Sequence, residues 1–475
     1  MCFSVASDGY PPFLIMPILF KDFSRVIAFE VPGLRDFQLH LGTSSTQNTS
    51  KKVKVLPNHY EEVQSMKKFI GVMIIFLMLF SLIGCSSDAF IHFSDKSLPF
   101  DKEKIDSEVV QGNSEFAFDI FKQLNDEDKE QNVFISPLSI STALSMTYQG
   151  AETTTKEAMA EALNYDGIER GALNESYKNL LRYLQQVDSK VELNISNSIW
   201  IKEGQAIKQE FIDTNEQIFN AHVTQLDFSK DDAADKINQW IDSSTKGKID
   251  KMLEPPISPQ VIMYLINAIY FKGEWTEQFD KKETFNTVFR TGSGQTTDVK
   301  MMSRKGEVGY GQGSNYKAVR LDYGSGKTSM YLVLPEEGIP VNDFITGMTP
   351  NKWQVIKDSV SKTSEVLVQI PRFKMEYGIK KLKDSLSALG MAEAFSDTAD
   401  FSGMREGIFI SRVLHKAVIE VNEEGSEAAG VTVVEMQESA AVEPLRFTAD
   451  RPFMFVIEDN EFGTILFMGK AWDVN

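Results

Sequence analysis

Two cysteines and five histidines carry all the thiol and imidazole chemistry of this 475-residue chain. Cys2 and Cys85 are too few for a disulfide framework or a cysteine zinc site. The histidines, at positions 40, 59, 92, 222 and 415, fall in no metal-type pair. No G-x-S-x-G elbow occurs. Gly326-Lys327-Thr328 imitates the end of a phosphate-binding loop, but the upstream glycine that loop needs is Leu321. Gly309-Tyr310-Gly311-Gln312-Gly313 reads as a loop, with no helix after it to bind phosphate. His415 lies in the apolar stretch Val413–Val418, where a buried, hydrogen-bonded ring is expected rather than a base. No carboxylate pair has a spacing suited to acid–base work. The expectation is a chain that is no enzyme and holds no metal or cofactor.

One segment has chemistry of another kind. Residues 420–444 read EVNEEGSEAAGVTVVEMQESAAVEP. They begin charged, turn small, become β-branched, and end at Pro444. Counted from Ser426, one parity carries Ser426, Ala428, Gly430, Thr432, Val434 and Met436. The other carries Glu427, Ala429, Val431, Val433, Glu435 and Gln437. A strand with one buried and one wetted face shows that alternation; so does an exposed loop by chance. The small side chains of Ser426, Ala428, Ala429 and Gly430 would let the segment pass between existing strands.

The elements that must position this segment are mixed. Ala117, Ile120, Phe121 and Leu124 share a helical face, as do Ala233, Ile237, Trp240 and Ile241 before a stop at Lys246-Gly247-Lys248. Val261–Phe271, Ser329–Leu334 and Val366–Ile370 read as strands, the last two bounded by Pro335 and Pro371. Phe453–Ile457 and Thr464–Met468 read as a terminal hairpin. Helices gather toward the front and strands toward the back, which makes the class α+β. A net charge of −18 leaves no basic footprint for nucleic acid.

Residues 66–85 read MKKFIGVMIIFLMLFSLIGC, a basic start followed by an uncharged run from Phe69 to Gly84. This is the layout of a secretory signal, short for a membrane span. Leu82-Ile83-Gly84-Cys85 resembles the lipobox of bacterial lipoproteins, which implies acylation of Cys85 and an extracytoplasmic protein, lipid-anchored to the bacterial cell membrane or secreted. Such signals belong at the start of a chain, so residues 1–65 are expected to be an over-extended reading frame. Residues 66–84 are then the signal peptide, 85–106 a polar tether, and 107–475 one folded domain.

That domain resembles the serpin family through several separate motifs. They are Asn132–Ile140 (NVFISPLSI), Ile237–Ile241 with Thr245–Ile249, Asn267–Trp275 (NAIYFKGEW), Glu423–Ala429 (EEGSEAA) and Phe447–Phe453 (FTADRPF). The resemblance implies three β-sheets, eight or nine helices and an exposed reactive-centre loop. It also implies a mechanism in which the loop is cut, traps the protease as an acyl-enzyme, and enters the main sheet as a new strand. The hinge of inhibitory members maps to Glu423, Glu424, Gly425, Ser426, Glu427, Ala428, Ala429 and Gly430. Family spacing places the reactive bond at Ser439–Ala440, with Glu438–Ser439 as the alternative. A small residue before the cut implies an elastase-like or subtilisin-like serine protease as partner, or a cysteine protease; no Arg or Lys stands between Glu424 and Pro444 to serve a trypsin-like one. Ser136, Ser139, Asn267 and His415 match the polar cluster beneath the main sheet, and Trp275 the tryptophan at its top. A monomer is expected. The competing reading is a non-inhibitory serpin that acts as a surface binding protein.

Overall fold

Helix starts are written into the sequence as caps. Asp106 accepts from the Glu108 N–H and opens α1 (Ser107–Glu127). Ser136 accepts from the Ser139 N–H at 3.2 Å and opens α2 (Pro137–Tyr148), with proline in the first turn, where its missing N–H costs nothing. The computed structural model describes residues 98–426 and 445–474. After β1 (Val133–Ile135) and α2 come α3 (Thr153–Ala162), α4 (Arg170–Gln186), β2 (Val191–Lys202), α5 (Gln209–Phe219), β3 (Ala221–Leu226), α6 (Ala233–Ser244) and β4 (Met263–Glu274). Then follow β5 (Phe285–Arg290), β6 (Thr296–Gln312), β7 (Tyr316–Tyr323), β8 (Thr328–Pro335), α7 (Val341–Thr346), α8 (Pro350–Ser359), β9 (Ser361–Pro371), β10 (Phe373–Lys381) and α9 (Lys383–Ala388). The chain closes with β11 (Leu414–Asn422), β12 (Gly425–Ser426), β13 (Leu445–Thr448), β14 (Phe453–Asp459) and β15 (Ile465–Ala471). Nine α-helices therefore stand among the described residues.

Two hydrogen-bonded ladders organise them. The first runs β10-β11-β12-β4-β2-β3, and the second β1-β15-β14-β8-β7-β6-β9-β13, with β5 also on β6. The long β6 has three partners: its first residues pair β5, Met301–Tyr310 pair β9 with a register slip between Gly306 and Val308, and Gly309–Gln312 pair β7. Two of the three expected sheets are thus joined along one strand. Gly309 and Gly311, expected in a loop, are strand residues opposite Arg320 and Ala318; a Cβ on Gly311 would meet Ser359 Oγ at 2.5 Å.

The face of α1 formed by Phe116, Ile120, Phe121 and Leu124 is fully buried, as are Val456, Ile457 and Met468 of the β14–β15 pair. A separate small core forms where α6 lays Ile237, Trp240 and Ile241 over the first sheet near Trp200 and Ala268. At about 1.5–3 kcal/mol for each buried large apolar side chain, these faces decide which way the helices turn.

The polar stretch expected over 85–106 ends sooner than its composition indicated. Phe100 sets its ring edge-on to Tyr183 at 5.7 Å, Asp101 accepts from the Glu103 N–H, and Gln186 and Arg182 of α4 donate to the carbonyls of Leu98 and Pro99. Residues 98–106 therefore pack onto α4 as part of the folded body. One aromatic ring and a cap were enough to order a segment that shows no periodicity.

Candidate functional site

Strands β4 and β11 are the neighbours that should close the first sheet, yet among the described residues they pair with each other nowhere. Only β12 lies between them. Gly425 pairs Glu274 and Asn422, and Ser426 pairs Gly273 and Val421. Two residues of the hinge are thus already a strand, and below them the sheet is parted.

The chain makes this tight turn from β11 into β12 with glycine at its corner. Gly425 has φ +146°, and a Cβ there would stand 2.1 Å from the Gly273 carbonyl oxygen. No other residue type tolerates that approach. Ser426 is 2% exposed, and its Oγ lies 2.8 Å from the Tyr323 hydroxyl on β7 beneath. Burial pushes the Tyr323 phenol up, so it stays neutral and able to donate. Trp275 stacks on Tyr323 with centroids 4.4 Å apart, its indole N–H donates to the Asn422 carbonyl at 2.9 Å, and its backbone N–H donates to the Glu424 carbonyl at 2.8 Å. It therefore braces both sides of the turn.

The two hinge glutamates are buried and held by cations. Glu423 accepts from Arg372 Nη2 at 2.5 Å and from the Thr284 hydroxyl at 2.5 Å. Burial pushes its carboxyl up, but the Arg372 guanidinium and the Thr284 hydroxyl outweigh that and hold it below the usual carboxylate range. Glu424 pairs with Lys281. An acidic pair next to small residues announced a need for cations, but nothing in the sequence said which ones. Arg372 and Lys281 were missed for that reason, and the hydroxyls of Thr284 and Tyr323 left no pattern along the chain either.

Beneath the gap, Ser136, Ser139 and His415 form one network. The Ser136 N–H donates to His415 Nε2 at 3.1 Å, and the Ser136 hydroxyl donates to the Leu466 carbonyl at 2.7 Å. Nε2 thus accepts, and the neutral ring carries its proton on Nδ1. Asn267 is not bonded to this group. Its Nδ2 donates across to Asn197 Oδ1 at 2.7 Å, and Asn197 in turn donates to the Phe219 carbonyl. His415 and Asn267 both line a cavity of about 490 Å³ between β4, β11 and α2, and Asn267 Oδ1 has no hydrogen-bond partner among the described residues. Glu427, Ala428, Ala429, Gly430, Glu438, Ser439, Ala440 and Cys85 lie outside the described residues.

Burial alone drives the His415 pKa from 6.5 down to about 4. Above pH 6.5 the ring is neutral in both folded and unfolded chains, and this stability is fully present. As pH falls from 6.5 to 4, the unfolded chain takes a proton that the fold refuses, so stability drops by up to about 3 kcal/mol. His415→Gln should flatten the denaturation midpoint across that window, measured against the parent protein at matched pH. An identical slope in both proteins would place the titrating group elsewhere.

A sheet whose strands β4 and β11 meet only through β12, over a cavity, is the arrangement to set against known proteins. Residues 111–474 match the family model described as Serpin (serine protease inhibitor). An uncharacterized serpin-like protein of Methanosarcina acetivorans is 35% identical over 86% of this chain and 98% of its own length. The leukocyte elastase inhibitor of Bos taurus is 33% identical over 76% of this chain and 98% of its own. The crystal structure of tengpin, a thermophilic serpin in its native state, superposes with a TM-score of 0.71 at 32% identity, covering 79% of this chain and 96% of that one. The chain belongs to the serpin family.

The family match corrects the grounds on which the chain was set down as no enzyme. Missing motifs were a negative argument. In its place stands membership of a family described as serine protease inhibitors, with an elastase inhibitor among the relatives.

Proposed function

We propose that this chain inhibits a serine protease of elastase-like or subtilisin-like type by loop cleavage, acyl-enzyme trapping and insertion of residues 426–437 between β4 and β11. The observation that carries the reading is β12: the loop root already stands as a two-residue strand over a cavity open along its onward path. From Gly425 to Gln437 no proline interrupts the would-be strand, and Thr432 with its neighbouring valines favours one. The reading places the bond at Ser439–Ala440, with Glu438–Ser439 second. The lipobox-like end of residues 66–85 supports an extracytoplasmic protein, attached through an acylated Cys85 or secreted.

Incubation with elastase or subtilisin should give a covalent complex that survives boiling in detergent. Mass spectrometry of the released C-terminal fragment should begin it at Ala440. Free, fully active protease beside cut inhibitor in every mixture would instead support a non-inhibitory surface binding protein.

A further inference from the structure

The parted sheet is spanned twice. Above, β12 fills the space between β4 and β11. Below, Arg412, two residues before β11, reaches across to β4: its Nη2 donates to the Tyr264 hydroxyl at 2.9 Å, and its guanidinium lies 5.8 Å from the centre of the Tyr264 ring. The 490 Å³ cavity lies between these two closures, in the size range of small-molecule sites. Its lining is mixed: Leu144, Ile249, Met252 and Leu265 form an apolar stretch, Asn267 and His415 are polar, and Arg412 and Tyr264 also line it. No carboxylate of the described residues lies within ion-pair distance of Arg412. The site therefore combines an apolar stretch with one uncompensated cation.

We propose that the gap is also a binding site for a medium-chain alkyl carboxylate, its head on Arg412 and its tail along Leu144, Ile249 and Leu265. A carboxylate matches the guanidinium fork in charge and shape, and displaces only one bond to a tyrosine hydroxyl. An alkyl chain suits the part of the wall that Leu144, Ile249 and Leu265 form, which has no side-chain polar group. The proposal rests on the insertion reading for its consequence, because the bound chain occupies the path of the incoming strand. Loading the site would slow insertion, give the acyl-enzyme time to hydrolyse, and turn the inhibitor into a substrate. Small amphipathic acids would then set how much inhibition the protein delivers.

The titration uses the full chain. Sodium decanoate, kept below its micelle concentration, should bind in one saturable event by calorimetry. Affinity should rise about fourfold per methylene from hexanoate to decanoate. Arg412→Gln, or decanol in place of decanoate, should weaken binding at least tenfold. Tyr264→Phe should leave it intact, since the guanidinium stays. Ala143→Phe, which fills the cavity, should abolish binding while the protein still melts cooperatively.

Loop-cleaved protein should bind none. No saturable heat with intact protein, or equal loss in Tyr264→Phe and Arg412→Gln, overturns the ligand site and leaves the insertion reading untouched. Binding to cleaved protein whose melting temperature has risen overturns the site as well, whereas binding to cleaved protein that melts like the intact form overturns the insertion reading instead. The melting temperature of the same cleaved sample reports independently on whether the strand has entered.

Discussion

Cutting the loop without trapping a protease should raise the melting temperature of this protein by more than about 10 °C. The expectation follows from the state of the first sheet. Among the described residues, the edges of β4 and β11 below Ser426 have no strand between them, and β4 pairs only with β2 along that length. Edges in that condition are templates for another strand. Once the chain is nicked beyond Gln437, residues 427–437 are free to continue the strand that Gly425 and Ser426 begin. Each entering residue makes ladder hydrogen bonds, worth about 0.5–1.5 kcal/mol apiece. The valines add burial at about 25 cal/mol per Å². Against this stands the ordering cost of about 1–2 kcal/mol per residue, part of which the intact loop, tied at both ends, has already met. The bonds and the burial are expected to outweigh the part of that cost still to be met, and large domains move by at least a degree or two per kcal/mol. A limited digest with a protease that cuts but is not trapped, followed by calorimetry, measures it. A cleaved form that melts with the intact one would remove the driving force from the proposed mechanism.

Much of this architecture was legible in the sequence because its signals are local. The stripe Ala233, Ile237, Trp240 and Ile241 becomes the buried face of α6, which stops where Lys246 and Gly247 take positive φ. The β14–β15 hairpin follows from two apolar runs around a polar turn. The hinge was legible through its small residues and through family likeness. What was not legible depends on residues brought together across the fold. Tyr323 meets Ser426 over 103 positions, and Arg412 meets Tyr264 over 148. Neither has a periodicity or a motif, since a single polar contact leaves no pattern along the chain. Asn267 shows the limit of likeness. It lies beside the gap, yet its partner is Asn197 rather than the serines and histidine grouped with it. β6 stayed hidden because Gly309 and Gly311, which face strand β7, read along the chain as a loop.

Ser426→Arg should all but abolish trapping while leaving the loop as easy to cut as before. Ser426 sits 2% exposed with its hydroxyl on the neutral Tyr323 phenol, and the aromatic floor of Tyr323 and Trp275 offers a guanidinium no carboxylate at that depth. Glu423 and Glu424, the nearest acids in sequence, are already committed to Arg372 and Lys281. Taking an unpaired cation out of water costs several kcal/mol. The variant escapes that cost by withdrawing β12 from the sheet, which leaves the loop root in solvent and the bond accessible. The cost returns when the cut loop tries to enter, because Ser426 is the first residue through the gap. Every 1.4 kcal/mol is a tenfold factor in rate, so even half of that penalty lets hydrolysis of the acyl-enzyme win. Titration of elastase should need more than about ten times as much variant as parent protein. Cut inhibitor should accumulate in place of complex, and the melting gain on cleavage should shrink. Ser426→Thr, which keeps a hydroxyl for Tyr323 and adds only a methyl group, should retain near-parental stoichiometry. If the arginine variant traps protease as efficiently as the parent, the loop does not enter the sheet through β12, and the partly formed strand seen there is no starting point for insertion.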